Sequence, residues 1–223
     1  MGGPFQAKLI LPLNRTLSAC GRIKAGTMEK DSTGSTPKAN PAPLGLAGFG
    51  LTTIVLSAIN AGLLPHEAVP VVVPLAFAYG GVAQIIAGIL EFRTGNTFGM
   101  VAFTSYGLFW WWFAFLQWTI GAGWLKGPPP AAAATVLLAW GIFTLLMWFV
   151  SFRLSLAVWS IFLLLWVTFF LLALGDFGVA HMGILGGYLG LLTGIDALVV
   201  AFIEVLNAHA GREVISLGKP ILH

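Results

Sequence analysis

Charge is scarce in this chain: 9% of its 223 residues are Asp, Glu, Lys or Arg, and there is one cysteine, Cys20. So little charge excludes an ordinary water-facing globular surface, where about a quarter of residues are charged. A lone cysteine cannot close an intrachain disulfide. The four histidines, His66, His181, His209 and His223, are scattered with no second soft ligand nearby, so no zinc spacing is present and no metal or cofactor is expected. An intramembrane enzyme would need convergent acid, base or nucleophile groups. No His or Cys lies deep in an apolar run, so an enzyme is not expected.

What is abundant is hydrocarbon. Hydrophobic residues make up 58% of the chain and the mean hydropathy is +0.91, which marks an integral membrane protein. Apolar runs of about the ~20 residues that cross a bilayer as a helix recur from Pro43 onward. Six are counted, near 44–64, 69–90, 97–122, 131–151, 154–175 and 182–207. The predicted fold class is therefore an all-α membrane protein of six transmembrane helices, with a flexible basic tail over 1–39, a six-span domain over 40–210 and a C-terminal tail over 211–223. Residues 1–39 are too interrupted for a signal peptide, and Met28 reads as an ordinary protein start, so the expectation is that residues 1–27 are an extension.

Of the eleven basic residues, six precede Asn40 (Lys8, Arg15, Arg22, Lys24, Lys30, Lys38). With the N-terminus inside, Arg93, Arg153, Arg212 and Lys219 join them and Lys126 alone lies outside, which predicts both termini in the cytosol. The net charge of +3 is thus a topology signal, and nucleic acid is not an expected partner.

Small residues mark helix faces that must touch. Gly186, Gly190 and Gly194 form a GxxxGxxxG series in the sixth span, and Gly81, Gly88 and Gly95 recur every seventh residue in the second. The tryptophans, WWWF at 110–113 with Trp118, Trp124, Trp140, Trp148, Trp159 and Trp166, are too dispersed for one stacking platform. They are expected to form a lipid-facing or subunit-facing aromatic surface.

The stretch from Gln84 to Tyr106, QIIAGILEFRTGNTFGMVAFTSY, concentrates polar groups between two apolar runs. In lipid, such groups belong at an interface or in a wet or protein-filled interior. Spans one, three and five all begin on the same side, with NPAPLG, with GNTFG and after Arg153. Free N–H groups and positive helix ends should cluster there with Asn40, Asn96, Thr97 and Arg153, an entry for a small anion, although Asn40 or Asn96 taken alone reads first as a helix cap. At ~1.5 Å of rise per residue, Phe49 lies ~14 Å beyond Asn40, Tyr106 ~15 Å beyond Asn96 and Leu165 ~18 Å beyond Arg153. All three reach mid-bilayer. If they converge they make a dry neck, where the Tyr106 hydroxyl with Thr104 and Ser105 would replace part of a solute's water.

The motifs NPAPLGLAGFG at 40–50 and AQIIAGILEFRTGNTFG at 83–99, running into AFTSYGLFW at 102–110, closely resemble the signatures of the acetate uptake transporter family, the succinate–acetate permease type. WGIFTLLMWF at 140–149 and EVLNAHAGR at 204–212 extend the resemblance over nearly all of 40–210. The resemblance implies a six-span protomer in a homohexamer of the cell membrane, with one pathway per protomer for acetate, related short monocarboxylates or succinate. It also implies a constriction of Phe49, Tyr106 and Leu165, with Leu163 and Leu164 as alternatives to the last. Asn40, Pro41, Gln84, Asn96 and Thr97 match the family pattern, and Gln84 suits either pathway lining or a hydrogen bond between helices. Asp196 has no counterpart in the motifs; an acid there could carry a proton or be structural. Glu91 and Glu204, near span ends, are expected to be solvated or ion-paired. An acid permease can be proton-linked or a channel. The competing expectations are a passive pore for neutral solutes such as urea or ammonia, and a non-transporting acetate sensor.

Overall fold

The structure, a computed structural model, describes residues 39–222. Cys20, Met28 and the six basic residues ahead of Asn40 lie outside the described residues. Six long apolar helices follow one another: α1 (Ala42–Asn60), α2 (His66–Thr94), α3 (Thr97–Gly121), α4 (Pro130–Ser151), α5 (Leu156–Asp176) and α6 (Met182–Ala210). The six expected spans are all there, each with ends within a few residues. The Asn40 amide donates a hydrogen bond to Glu204 Oε2 at 3.0 Å, so the start of α1 and the end of α6 lie on one face of the bundle.

Local chemistry sets the helix ends. Asn40 Oδ1 accepts from the Ala42 N–H, and the chain then enters α1 through prolines suited to a first turn. Between α2 and α3 the chain reverses over two residues. Gly95 ends α2 in the left-handed region at φ 80°, and Asn96 starts α3 by accepting from the Gly99 N–H. Ser155 caps α5 in the same way through Val158.

The second span departs from the regular helix its hydropathy predicts. Pro74 lies inside it, and the turns beyond widen into a π-helical stretch over Ala76–Ala83 before α-geometry resumes at Gln84. Proline lacks an N–H and crowds the carbonyl four residues earlier, so the hydrogen-bond ladder must be re-registered nearby.

Around the bundle, α1 packs against α6 and α2, α5 lies between α4 and α6, and α2 lies against α3. The glycine series explains the closest approaches. A Cβ on Gly50 would stand 2.7 Å from the Gly194 carbonyl oxygen, and one on Gly194 would stand 2.8 Å from the Gly50 carbonyl oxygen. Gly190 faces Ser57 of α1, Gly186 faces Leu172 of α5, and Gly81 and Gly88 face Trp111 and Thr104 of α3. Gly95 does not belong to that packing stripe: it is the turn residue, and nothing lies within 4 Å of the Cβ it lacks. Beyond α6 the chain folds back. The Leu217 carbonyl accepts from the Ala157 N–H, and the Leu222 N–H donates to the Phe152 carbonyl.

Candidate functional site

Two cavities enter the bundle from opposite faces. The first, about 190 Å³, opens where α1, α3 and α5 begin; Ala42, Asn96 and Ser155 are at its mouth, with Gln84 and Glu204 in its wall. The second, about 330 Å³, is lined by Asn60, His66, Gln117 and Asp176. Phe49 and Leu165 line both cavities, and Tyr106 lines the first. All three are buried, and the Phe49 and Tyr106 rings stand 5.9 Å apart, tilted by 48°. The side chains of three odd-numbered helices therefore converge at mid-depth. Leu163 and Leu164 line neither cavity.

Tyr106 is held from several sides. Its ring contacts Phe162 of α5 and Trp140 and Phe143 of α4. Its hydroxyl donates to Thr144 Oγ1 at 3.0 Å, and Thr144 donates to the Trp140 carbonyl at 2.7 Å. The hydroxyl expected to face a solute is thus engaged by α4, because a buried O–H that found no partner would be costly. Sequence reasoning missed Thr144; a lone hydroxyl within WGIFTLLMWF was its only signal.

Thr104 and Ser105 are not brought to this neck. They lie with Gly88, Ile89, Phe92, Met100 and Val101 in a separate depression on the α2–α3 side. One residue of helix turns a side chain by about 100°, so neighbours of Tyr106 in sequence cannot share its direction.

The polar groups of the first cavity divide by role. Gln84 is 1% exposed and lines it, one of its two expected roles; its Oε1 has no hydrogen-bond partner, so that oxygen makes no bond between helices. Asn40 and Asn96 both cap their helices, and the Asn40 amide is further taken by Glu204. With Ala157 N–H bonded to Leu217 and Val158 N–H to Ser155, the helix starts spend many of their donors within the chain. The expected cluster of free N–H groups is reduced accordingly. Pro41 is buried and Thr97 exposed, and neither lines either of these two cavities.

Two more expectations change, those for Glu91 and for the tryptophans, and Asp196, left open between proton carrier and structural acid, has a partner. Glu91, taken as solvated or ion-paired, is 2% exposed: Oε2 accepts from the Thr94 hydroxyl at 3.2 Å and Oε1 is buried without a partner. The tight Gly95–Asn96 turn folds α3 back onto this end of α2 and covers it. Asp196 accepts from Ser160 Oγ at 2.8 Å across α5 and α6 and lines neither cavity. Among the tryptophans, Trp118 and Trp124 are exposed as expected, but Trp110 is buried and lines the second cavity. That cavity's polar rim, His66, Gln117 and Asp176, sequence reasoning also missed, since span ends are polar in any membrane protein.

Neither cavity is lined by Lys or Arg; Arg153, expected at the entry, is exposed and lines neither. Among the described residues no cluster of His, Cys, Asp and Glu could hold a metal ion. The arrangement is two vestibules separated by an apolar neck, which suits passage of a small solute.

Known proteins carry the same arrangement of sequence and fold. The chain is 41% identical to the succinate-acetate/proton symporter SatP of Escherichia coli over 187 residues, covering 83% of this chain and 98% of that protein. It is 39% identical to acetate permease A of Emericella nidulans, covering 78% of this chain and 61% of that longer protein. The solved structure of the bacterial acetate channel SatP superposes with a TM-score of 0.78 at 41% identity, covering 81% of this chain and 99% of that one. The model of the GPR1/FUN34/yaaH family matches residues 24–215, and the chain belongs to that family.

Proposed function

We propose that this protein is a permease for acetate and related short carboxylates, succinate among them, in which the substrate crosses each protomer between the two vestibules and passes the neck at Phe49, Tyr106 and Leu165. One observation carries the reading: cavities from opposite faces end on the same two side chains, Phe49 and Leu165. The names of the similar proteins, a succinate-acetate/proton symporter, an acetate permease and an acetate channel, supply the substrate class.

Proton linkage follows from the electrostatics of the neck. A short carboxylate is ionised at neutral pH, as side-chain carboxyls are. An anion in an apolar constriction without an opposite charge is strongly disfavoured, and neither Lys nor Arg lines either cavity. The substrate therefore crosses with a proton, as a neutral acid. Gln84 Oε1, a buried acceptor lacking a donor, suits the acid's O–H. Asn96 and the Asn40–Glu204 pair shape the mouth, while Pro41 and Thr97 set the helix starts. Asp196, off both cavities, serves the contact between α5 and α6. We assign the mouth of the first cavity and both termini to the cytosol of the cell membrane, from the distribution of Lys and Arg. The working assembly is a homohexamer.

The test is labelled-acetate uptake into proteoliposomes with and without an inward proton gradient, beside Tyr106→Ala. Saturable uptake that rises with the gradient, and that changes in the variant, is the expected result; uptake indifferent to the gradient means a channel. A second reading, a passive pore for small neutral solutes, draws on the dry neck and on the 40% identity to ammonia transport outward protein 2 of Saccharomyces cerevisiae. Ammonia or urea flux without acetate flux would establish it instead.

A further inference from the structure

Beyond α6 the chain has no helix or strand of its own, yet residues 212–222 are tied down at the ends of three helices. The first tie is Asn207, in the last turn of α6. Its Oδ1 accepts from the Val214 N–H at 2.7 Å and from the Ile215 N–H at 3.1 Å, and its Nδ2 donates to the Ile215 carbonyl at 2.8 Å. The second tie is at the start of α5, where the Leu217 carbonyl accepts from the Ala157 N–H at 3.0 Å. Leu217 packs against the core, and Gly218 lies so close to α5 that a Cβ on it would stand 2.7 Å from Leu156 Cβ. The third tie is just past α4, where the Leu222 N–H donates to the Phe152 carbonyl at 2.9 Å. The segment is a strap laid across the ends of α6, α5 and α4.

That side of the bundle carries the mouth of the first cavity. The turn gripped by the strap, between Phe152 and Ala157, supplies Leu154 and Ser155 to the cavity wall, and Val158 follows from the first turn of α5. A helix start leaves its first N–H groups without partners inside the helix. On α5, Ser155 Oγ serves the Val158 N–H at 3.3 Å, and the strap serves the Ala157 N–H. The backbone of α5 packs on α4 and α6, whereas it meets α3 ring to ring, through Phe162 and Phe98 at 5.0 Å in the cavity wall. Further along, Ser160 Oγ donates to Asp196 of α6 at 2.8 Å, so α5 is held independently of the strap on the way to Leu165. Releasing the strap therefore loosens the mouth and leaves the neck in place.

We propose that Asn207 is a positioning residue: by latching the strap to α6 it holds the turn before α5, and with it one wall of the mouth, in the arrangement that admits the substrate. This rests on the permease reading above. Asn207 lines neither cavity, so it acts through the strap and α5. With the latch gone, the Ala157 N–H loses its acceptor and the first turn of α5 frays, as weakly held helix ends do. Leu154, Ser155 and Val158 then lose their fixed places, and substrate entry weakens while passage through the neck does not change.

The test uses the full chain as wild type, Asn207→Ala, Asn207→Asp and Gly218→Ala. Asn207→Asp keeps an oxygen for the Val214 and Ile215 N–H groups. Gly218→Ala leaves Asn207 intact and pushes the strap off Leu156. Exchange of labelled acetate is measured in proteoliposomes with equal acetate on both sides, so each exchanged molecule passes both mouths whichever way the protein is inserted. In the same purified proteins, hydrogen–deuterium exchange is followed by mass spectrometry. The strap predicts faster deuteration of residues 153–160 in Asn207→Ala and Gly218→Ala, with the other spans unchanged. It also predicts a several-fold higher half-saturating acetate concentration in both at an unchanged maximal rate, and near wild-type behaviour in Asn207→Asp. Unchanged deuteration of 153–160, or faster deuteration with the half-saturating concentration unmoved, overturns the proposal. A lower maximal rate with faster deuteration throughout the spans also overturns it, because that is general damage to the bundle. Wild type that exchanges no acetate rejects the permease reading and the strap's role with it; wild-type exchange that Asn207→Ala and Gly218→Ala both match rejects the strap alone. Should Asn207→Ala fail to fold, Gly218→Ala, on the exposed strap, carries both readouts.

Discussion

At the scale of single residues, partners outside the local sequence decide what each side chain does. Tyr106 carries an apolar ring into the neck while its hydroxyl is spent on Thr144. Tyr106→Phe should therefore keep acetate flux and lose roughly 1 kcal/mol of stability, the net worth of one buried hydrogen bond. A melting curve in detergent beside an uptake assay checks this, and a collapse of flux in the phenylalanine variant would show that the hydroxyl touches the solute after all. Asp196 makes the complementary case, because its carboxylate answers Ser160 between helices rather than a cavity. Asp196→Asn keeps an oxygen for that bond, so uptake and its response to a proton gradient should match the wild type. Loss of gradient response in that variant would place proton coupling at Asp196 itself.

At the scale of elements, two glycines close different kinds of space and should respond differently. Gly95 has nothing within 4 Å of a Cβ, so Gly95→Ala costs only the left-handed backbone at φ 80°, about 1–2 kcal/mol. Gly194 meets the carbonyl of Gly50, so Gly194→Ala must push α1 and α6 apart, with a cost of about 1–3 kcal/mol and a second effect on the neck that α1 carries. Thermal melts paired with uptake separate the two: the first variant should melt earlier with transport intact, the second should lose both. The GxxxGxxxG series was legible in the sequence because small residues are the only way two helices approach so closely in lipid. The seven-residue spacing of Gly81, Gly88 and Gly95 was read too far, since periodicity alone does not show that the helix stops at Thr94. The π-helical stretch after Pro74 was not legible either, because a proline states that the ladder breaks without stating how it is repaired.

At the scale of the whole molecule, two half-deep vestibules and one neck make a protomer that holds a complete candidate pathway. A great deal of apolar surface remains outside it. Phe202, Val205, Leu192 and Ile195 on α6 and Ile142, Leu146 and Phe149 on α4 are all exposed, more outward hydrocarbon than a soluble monomer presents and suited to lipid or to other copies. Native mass spectrometry of protein extracted in mild detergent should give a mass near six protomers. A monomer active in transport would show that the ring is dispensable.

The sequence by itself determined how many times the chain crosses, where each crossing ends, which small residues let helices touch, and, through two long signatures, its resemblance to a known family. These are properties of composition and local order: hydrocarbon length sets the spans, and caps and glycines set the ends. The tertiary structure decided which faces look inward. In a soluble helix the apolar stripe would reveal the buried side, but here lipid makes every side apolar and erases that stripe. Hydroxyls give no better guide, since Thr52, Thr53, Thr168 and Thr193 each satisfy a backbone carbonyl of their own helix. Only the packing of six helices brings Phe49 and Leu165 to the junction of two cavities, turns Thr104 and Ser105 away from it, and covers Glu91 with the start of the next helix.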